Sequence, residues 1–85
     1  MKQVKIYTTP YCPYCVRAKR LLDKKRVPYQ EIDVAGDDAA RERLTAQTGM
    51  RTVPQIFIGD ECVGGSDELH ALDAQGKLDT LLASA

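Results

Sequence analysis

Two cysteines separated by two residues stand where an apolar segment gives way to a predicted helix. The stretch TTPYCPYCVRAKRLL contains Cys12 and Cys15, with Pro13 between them. If the helix begins at about Pro13, Cys12 lies at its N-terminal boundary, where unpaired backbone N–H groups and the helix dipole stabilise a thiolate. Because the thiolate is the species that attacks a disulfide, this position predicts thiol–disulfide exchange.

The second cysteine is expected to be the less exposed of the pair. Cys15 lies one helical turn after Cys12, on the apolar face that also carries Ala18 and Leu22. Its sulfur should therefore lie near that of Cys12, so that one thiol attacks and the other resolves through a redox-active disulfide. Pro13 fits the first helical turn, where its missing N–H costs nothing, and it stiffens the segment that sets the sulfur separation.

Two structural roles for these cysteines are disfavoured. A structural zinc site needs four Cys or His ligands, and only Cys62 and His70 remain, without the spacing of a second pair. No metal is therefore expected, and a structural disulfide is disfavoured in a chain expected to be cytoplasmic. Cys62 is interpreted as a small buried hydrophobe on a short inner strand rather than a regulatory thiol. His70 is given no role.

Length and composition restrict the remaining possibilities. The 85 residues suffice for one small domain, residues 1–85. The cysteine count is odd and the stretch MKQVKIYTT has no continuous apolar segment, so neither a disulfide framework nor a secretory signal peptide is indicated. No apolar run approaches the roughly 20 residues of a membrane span. We therefore expect a cytoplasmic protein with no membrane partner.

The charge is balanced overall but unevenly distributed. The formal net charge is zero, yet residues 1–30 hold eight Lys/Arg and one Asp, whereas residues 31–85 hold four Lys/Arg and eleven acids. The first predicted helix contains six basic residues: Arg17, Lys19, Arg20, Lys24, Lys25 and Arg26. Such a run is usually a solvated helix face, and the alternative is a docking surface for an acidic partner. Nucleic-acid binding is disfavoured, because the whole chain is not basic and no aromatic residues alternate with basic ones.

Hydrophobic periodicity predicts alternating strands and helices in the first half of the chain. Residues 2–8 alternate as a strand, and a helix follows from Pro13 to about Lys25. Residues 29–34 form a second strand. Because a helix connects these two strands, they must be parallel.

The second half predicts another helix, an antiparallel hairpin and a third helix. Gly59-Asp60 is a two-residue turn between strands at residues 55–58 and 61–63. Ser66 or Asp67 can cap the third helix, and a final apolar turn follows it. The order β-α-β-α-β-β-α implies an α/β fold, with a four-stranded mixed sheet and helices on both faces.

Three segments together resemble the glutaredoxin family, in its dithiol class. They are CPYC at residues 12–15, TVP at residues 52–54 before a strand, and GGSD at residues 64–67 before a helix. The resemblance spans nearly the whole chain and implies a thioredoxin-like fold. It also implies glutathione-dependent reduction of protein disulfides and of protein–glutathione mixed disulfides, with Cys12 as the nucleophile and Cys15 as the resolving thiol.

By the same resemblance, a groove beside the nucleophile binds glutathione. The residues expected to line it are Tyr14, Thr52, Val53, Pro54, Gly65, Ser66 and Asp67. In the family the peptide bond before the residue matching Pro54 is cis, so that the backbone of Val53 pairs with the cysteinyl part of glutathione. Gly65 allows close approach, and the N–H groups of Ser66 and Asp67 suit the γ-glutamyl carboxylate. Asp67 also suits the α-ammonium, while simple helix capping is the alternative role of Ser66.

Arg41 is expected to bind the glycyl carboxylate of glutathione. It lies eight residues before Gly49, where the family commonly carries Arg or Gln, and a guanidinium pairs well with a carboxylate. An exposed helix charge is the alternative for Arg41, and Arg51 is another candidate. Many members also carry a lysine shortly before the first cysteine, whereas this chain reads TTPY at residues 8–11. We expect the helix terminus and the arginines to compensate.

The resulting expectation is a cytoplasmic, monomeric dithiol glutaredoxin. Its partners are glutathione and disulfide-containing or glutathionylated proteins, with ribonucleotide reductase as a client suggested by the family alone. One alternative is a thioredoxin-like redoxin reduced by a flavin-dependent reductase, which Arg41 and the GGSD segment disfavour. Another is an iron–sulfur cluster carrier, whose members typically keep a single active-site cysteine in a CGFS motif, unlike CPYC.

Overall fold

The computed structural model describes residues 2–83, which form a four-stranded sheet and four helices. The strands are β1 (Val4–Thr8), β2 (Gln30–Asp33), β3 (Gln55–Ile58) and β4 (Glu61–Gly64). The helices are α1 (Pro13–Lys24), α2 (Asp38–Thr48), α3 (Ser66–Ala74) and α4 (Lys77–Ala83). Within residues 2–83, no helix is long and apolar enough to cross a membrane.

The end of the chain differs from the predicted order, because the final turn is a separate helix, α4. Gly76 lies between α3 and α4 with a φ of +70°, a left-handed conformation that glycine adopts easily and that commonly follows a helix. Leu78 and Leu82 are four residues apart in α4, so both fall on one face and both are buried. The leucine spacing predicts a final helical turn after Gly76, and the structure extends this turn to a helix of seven residues.

The sheet order β2-β1-β3-β4 brings together segments that are far apart in sequence. β1 pairs with β2 in parallel and with β3 in antiparallel orientation, and β3 pairs with β4 in antiparallel orientation. Because Tyr7 of β1 lies opposite Gln55 of β3, the segment after β1 and the segment before β3 leave the sheet at the same end. These two segments carry Cys12 and Pro54.

The main core lies between one face of the sheet and the helices α1, α3 and α4. Its fully buried large side chains are Val4, Ile6, Leu22, Ile56, Leu69 and Leu78. On the other face, α2 buries Leu44. There the rings of Tyr7 and Phe57 meet edge to face, with centroids 5.6 Å apart. Helices therefore cover both faces of the sheet, as predicted.

An ion-pair cluster connects α1 to the C-terminal helices. Lys25 Nζ lies 2.8 Å from a carboxylate oxygen of Asp73 in α3 and 3.0 Å from one of Asp79 in α4. The Asp73 carboxylate, followed by that of Asp79, raises the pKa of Lys25. The basic run is therefore not a purely solvated face, since Lys25, the residue that caps the end of α1, forms ion pairs with α3 and α4 at the protein surface.

The environment of Cys62 differs from the prediction. Cys62 lies on β4, which stands at the edge of the sheet because it pairs only with β3 in the order β2-β1-β3-β4. Its side chain is half-buried rather than buried. The predicted inner strand was wrong because sequence periodicity does not reveal the order of strands in a sheet.

Candidate active site

Cys12 occupies the N-cap position of α1, as the sequence predicts. Its backbone is extended, with φ −99° and ψ 108°, and Pro13 begins the helix. The Cys15 backbone N–H donates to Cys12 Sγ across 3.2 Å. A sulfur at this position accepts one of the N–H groups that the helix leaves unpaired, and the helix dipole favours negative charge there. The half-buried Cys12 thus places its sulfur at the N-terminus of α1, within reach of a backbone N–H donor.

Cys15 is in a different environment from Cys12. Its side chain is 1% exposed and packs on the inner side of α1. Burial, followed by the hydrogen bond with Cys12, raises the pKa of the Cys15 thiol from 9.0 to about 11. Cys15 therefore keeps its proton at neutral pH. Both thiols are free, so the pair is in the dithiol form and the predicted redox-active disulfide stays a prediction.

The segment before β3 closes over the Cys12 sulfur. Cys12 Sγ lies 3.8 Å from the carbonyl oxygen of Val53, within range of a weak S–H···O contact. The Val53–Pro54 peptide bond is cis, as the family resemblance implies. Pro54 is buried and Val53 half-buried. The 3.8 Å contact places the backbone of Val53 beside the Cys12 sulfur.

A buried glutamine, Gln55, holds this segment in place. Gln55 is 1% exposed, and its Nε2 donates to the carbonyl oxygens of Met50 at 2.9 Å and Thr52 at 3.0 Å. The Thr48 hydroxyl donates to Gln55 Oε1 at 2.8 Å and accepts from the Met50 N–H at 3.1 Å. Gln55 was not among the residues predicted to build the site. Its only signal is an amide at the first position of the otherwise apolar strand QIFI.

A groove of about 260 Å³ opens between α1, the Val53–Pro54 segment and the start of α3. All seven residues predicted to line a groove do so: Tyr14, Thr52, Val53, Pro54, Gly65, Ser66 and Asp67. Met50 and Glu68 also line it and were not predicted. The groove therefore unites three segments that are distant in sequence.

The N-terminus of α3 presents backbone donors to the groove. The predicted cap, Ser66 or Asp67, was wrong, because Gly65 is the N-cap residue and Ser66 begins the helix. Glycine has no side chain to accept the N–H groups of the first turn. The carboxylate of Glu68 instead reaches back and accepts from the Gly65 N–H at 3.1 Å. The unpaired N–H groups of this turn are thus left for a ligand carboxylate.

Both glycines before α3 have a steric reason to be glycine. Gly64 has a φ of +110°, and a Cβ at this position would lie 2.8 Å from Glu68 Oε1. A Cβ on Gly65 would lie 3.3 Å from the carbonyl oxygen of Pro54, across the groove. A larger residue at either position would therefore crowd the floor of the groove or the capping carboxylate.

Arg41 does not line this groove. It extends from α2 into a separate depression of about 600 Å³ that it shares with Arg51, Asp38 and Glu42. Its Nη2 lies 3.4 Å from the backbone carbonyl oxygen of Arg51. Because Arg51 directly precedes Thr52, the depression lies next to the groove. Two guanidinium groups thus stand beside one end of the groove rather than inside it.

A polar contact fixes the end of β1, from which the Cys12 segment departs. The buried Thr8 donates its hydroxyl to Glu31 Oε2 at 2.8 Å, and Lys19 Nζ lies 3.0 Å from the same oxygen. The Lys19 ammonium, followed by the Thr8 hydroxyl, lowers the pKa of Glu31, and the Glu31 carboxylate raises that of Lys19. Lys19 is one helical turn after Cys15, so this cluster joins β1, β2 and α1 beneath the dithiol.

Comparison with known proteins finds relatives over nearly the whole chain. A protein-family model described as Glutaredoxin matches residues 4–63. The chain is 54% identical over 84 residues to a Glutaredoxin of Pseudomonas aeruginosa, covering 99% of this chain and 100% of that protein. It is 52% identical over 82 residues to Glutaredoxin 3 of Escherichia coli K12, covering 96% of this chain and 99% of that protein.

Solved structures with the same architecture confirm the thioredoxin-like fold. A buckwheat glutaredoxin–glutathione complex superposes with a TM-score of 0.90 at 36% identity, covering 95% of this chain and 76% of that one. The solution structure of a glutaredoxin from Brucella melitensis gives a TM-score of 0.86 at 50% identity, covering 96% of this chain and 89% of that one.

Proposed function

The chain belongs to the glutaredoxin family, and we propose that it is a dithiol glutaredoxin that uses glutathione to reduce protein disulfides and protein–glutathione mixed disulfides. The observation that carries this proposal is the position of the Cys12 sulfur. It accepts an N–H bond at the start of α1 and lies 3.8 Å from the Val53 carbonyl, beside the groove. A thiolate there can attack a disulfide sulfur bound in that groove.

The first reaction is the removal of glutathione from a glutathionylated protein. The Cys12 thiolate attacks the glutathione sulfur of the mixed disulfide, the sulfur–sulfur bond to the client breaks, and the client leaves as a thiolate that takes a proton from water. A second glutathione, as its thiolate, attacks the glutathione sulfur on Cys12. Oxidised glutathione leaves and the Cys12 thiolate is restored.

Disulfide clients require Cys15. Cys12 attacks one client sulfur and releases the other as a thiolate. Cys15 then transfers its proton to a thiolate or to water and attacks Cys12, which releases the client fully reduced and leaves a Cys12–Cys15 disulfide. Two molecules of glutathione return this disulfide to the dithiol. Because the pKa of Cys15 is raised to about 11, its thiol does not compete with Cys12 in the first attack.

The groove offers complementary groups for each part of glutathione. The backbone of Val53 can pair with the cysteinyl unit as an added strand. The N–H groups at the start of α3 suit the γ-glutamyl carboxylate, and the exposed Asp67 suits its ammonium. Arg41 and Arg51, in the adjacent depression, suit the glycyl carboxylate. We further propose a cytoplasmic monomer, with ribonucleotide reductase among its clients.

The test is reduction of a glutathionylated peptide by glutathione, with wild type, Cys12→Ser, Cys15→Ser and Cys62→Ser compared. We expect Cys12→Ser to abolish turnover, whereas Cys15→Ser keeps it with this substrate and loses activity with a protein disulfide. Cys62→Ser is the control and should match wild type with both. If the wild type ignores glutathione but is reduced by a flavin-dependent thioredoxin reductase, the redoxin alternative replaces this proposal. A visible absorption spectrum of an iron–sulfur cluster in freshly purified protein would favour the carrier alternative.

The assignment of Arg41 can be tested separately. Arg41→Glu reverses the charge beside the groove, so we expect the apparent affinity for glutathione to fall roughly tenfold, in line with the loss of a charged hydrogen-bonded contact. Arg43→Glu makes the same charge change on the exposed side of α2 and is the matched control. An unchanged affinity in Arg41→Glu would remove Arg41 from the binding site.

A further inference from the structure

A histidine one turn inside α3 contacts the serine that begins this helix. His70 Nδ1 lies 2.7 Å from the Ser66 carbonyl oxygen and 3.4 Å from Ser66 Oγ. A carbonyl oxygen can only accept a hydrogen bond, so the short contact requires a hydrogen on Nδ1. Neutral His70 is therefore the Nδ1–H tautomer, and its protonated form keeps the same bond.

This tautomer determines what the Ser66 hydroxyl can do. An Nδ1 that carries a hydrogen cannot accept the hydroxyl hydrogen, so Ser66 Oγ faces a donor and its own hydrogen is unused by His70. Within residues 2–83, His70 is the only side chain within hydrogen-bond distance of this hydroxyl. Ser66 is 3% exposed and lines the groove. A buried hydroxyl in this position has a hydrogen bond to offer to whatever occupies the groove.

The groups around Ser66 define what that occupant presents. The first-turn N–H groups of α3 are donors, and the Glu68 carboxylate, which also lines the groove, accepts from the Gly65 N–H through Oε1. The exposed Asp67 contributes a carboxylate at the same end. Backbone donors beside these carboxylates complement a ligand that carries a carboxylate beside an ammonium, which is the head group of an α-amino acid.

We propose that His70 is a positioning residue for substrate recognition, because its Nδ1–H keeps the Ser66 hydroxyl as a donor toward the α-carboxylate of the glutathione γ-glutamyl unit. This inference rests on the proposed function and extends it to a residue outside the groove. His70 has no contact with glutathione in this role. It acts through Ser66, whose carbonyl it anchors and whose hydroxyl it leaves free.

The tautomer can be measured without any substrate. His70 is the only histidine in the chain, so the ring nitrogen signals in a long-range proton–nitrogen NMR spectrum need no assignment. At a pH where the ring is neutral, we expect Nδ1 to be the protonated nitrogen. A spectrum showing the Nε2–H tautomer would overturn the proposal directly.

The functional test compares glutathione with 4-aminobutyryl-Cys-Gly, which keeps the amine, the thiol and the glycyl carboxylate but lacks the α-carboxylate. The measured quantity is the ratio of kcat/KM for the two tripeptides in the reduction of a glutathionylated peptide. We expect His70→Leu to lower this preference about fivefold, since a hydrogen bond to a charged group is weakened. His70→Asn keeps an N–H donor near Nδ1 and should retain the preference. Ala71→Leu introduces the same side chain at an exposed neighbouring position and is the control.

Each outcome separates this inference from the proposed function. A wild type that uses neither tripeptide refutes the proposed function itself. A wild type that prefers glutathione, with the same preference in His70→Leu, refutes the role of His70 alone. Equal losses for both tripeptides would mean a general structural effect and would also refute it. If His70→Leu does not fold by circular dichroism, His70→Phe takes its place and must lose the preference to the same extent, and an unchanged preference in His70→Phe refutes the role of His70.

Discussion

The buried amide of Gln55 is expected to determine both the stability of the protein and the shape of the groove. Replacement by leucine keeps a similar volume but removes the donors of the Met50 and Thr52 carbonyl oxygens. The Thr48 hydroxyl loses its acceptor too, yet it can turn to the Leu44 carbonyl oxygen, which lies 3.0 Å away. Two lost hydrogen bonds at about 1 kcal/mol each give a destabilisation of about 2 kcal/mol.

The assay for this prediction is urea unfolding followed by circular dichroism, with Gln47→Leu as the matched control. Gln47 is exposed on α2, so the same substitution there should change the free energy of unfolding by less than about 0.5 kcal/mol. Gln55→Glu should be worse than Gln55→Leu, since a carboxylate cannot donate to the two carbonyls and would be buried as a charge. If Gln55→Leu is no less stable than Gln47→Leu, the proposed role of the amide is wrong.

Three further predictions concern the dithiol, the groove and the contact beneath them. With the pKa of Cys15 at about 11, the rate of its alkylation by iodoacetamide should rise about tenfold per pH unit between pH 7 and 10. The rate can be measured by residue-resolved mass spectrometry, and a plateau below pH 9 would contradict the prediction. Gly65→Ala should lower kcat/KM for glutathione roughly tenfold at an unchanged melting temperature, because the added Cβ would lie 3.3 Å from the Pro54 carbonyl oxygen in the groove. Wild-type kinetics in this variant would refute the predicted crowding. Lys19 lowers the pKa of Glu31 below 4.5. The ionised Glu31 carboxylate therefore stabilises the folded protein above pH 4.5, and this stabilisation is lost as the pH falls through the lowered pKa. The pair is partly exposed, so this loss should be below about 1 kcal/mol in urea unfolding, and Glu31→Gln should not show it.

Much of the fold could be predicted because its signals are local. The change from strand to helix periodicity at Pro13 located α1, and the Gly59-Asp60 turn located the hairpin between β3 and β4. The predicted cap of α3 was wrong because serine and aspartate are common caps, whereas the actual N-cap is Gly65, where a Cβ would lie 3.3 Å from the Pro54 carbonyl oxygen. That contact lies between segments and leaves no local pattern.

The position of Cys12 could be predicted from sequence alone, because the N-cap position, Pro13 and the unpaired N–H groups of α1 all belong to one short stretch. The rest of the site depends on contacts between segments that are distant in sequence. The burial that raises the pKa of Cys15 comes from packing against the core, and the donor role of the Ser66 hydroxyl depends on one ring nitrogen of His70. The groove itself exists only where the ends of β1, β3 and β4 meet. Such properties depend on distances between segments far apart in the chain, and a sequence pattern records neighbours along the chain rather than neighbours in space.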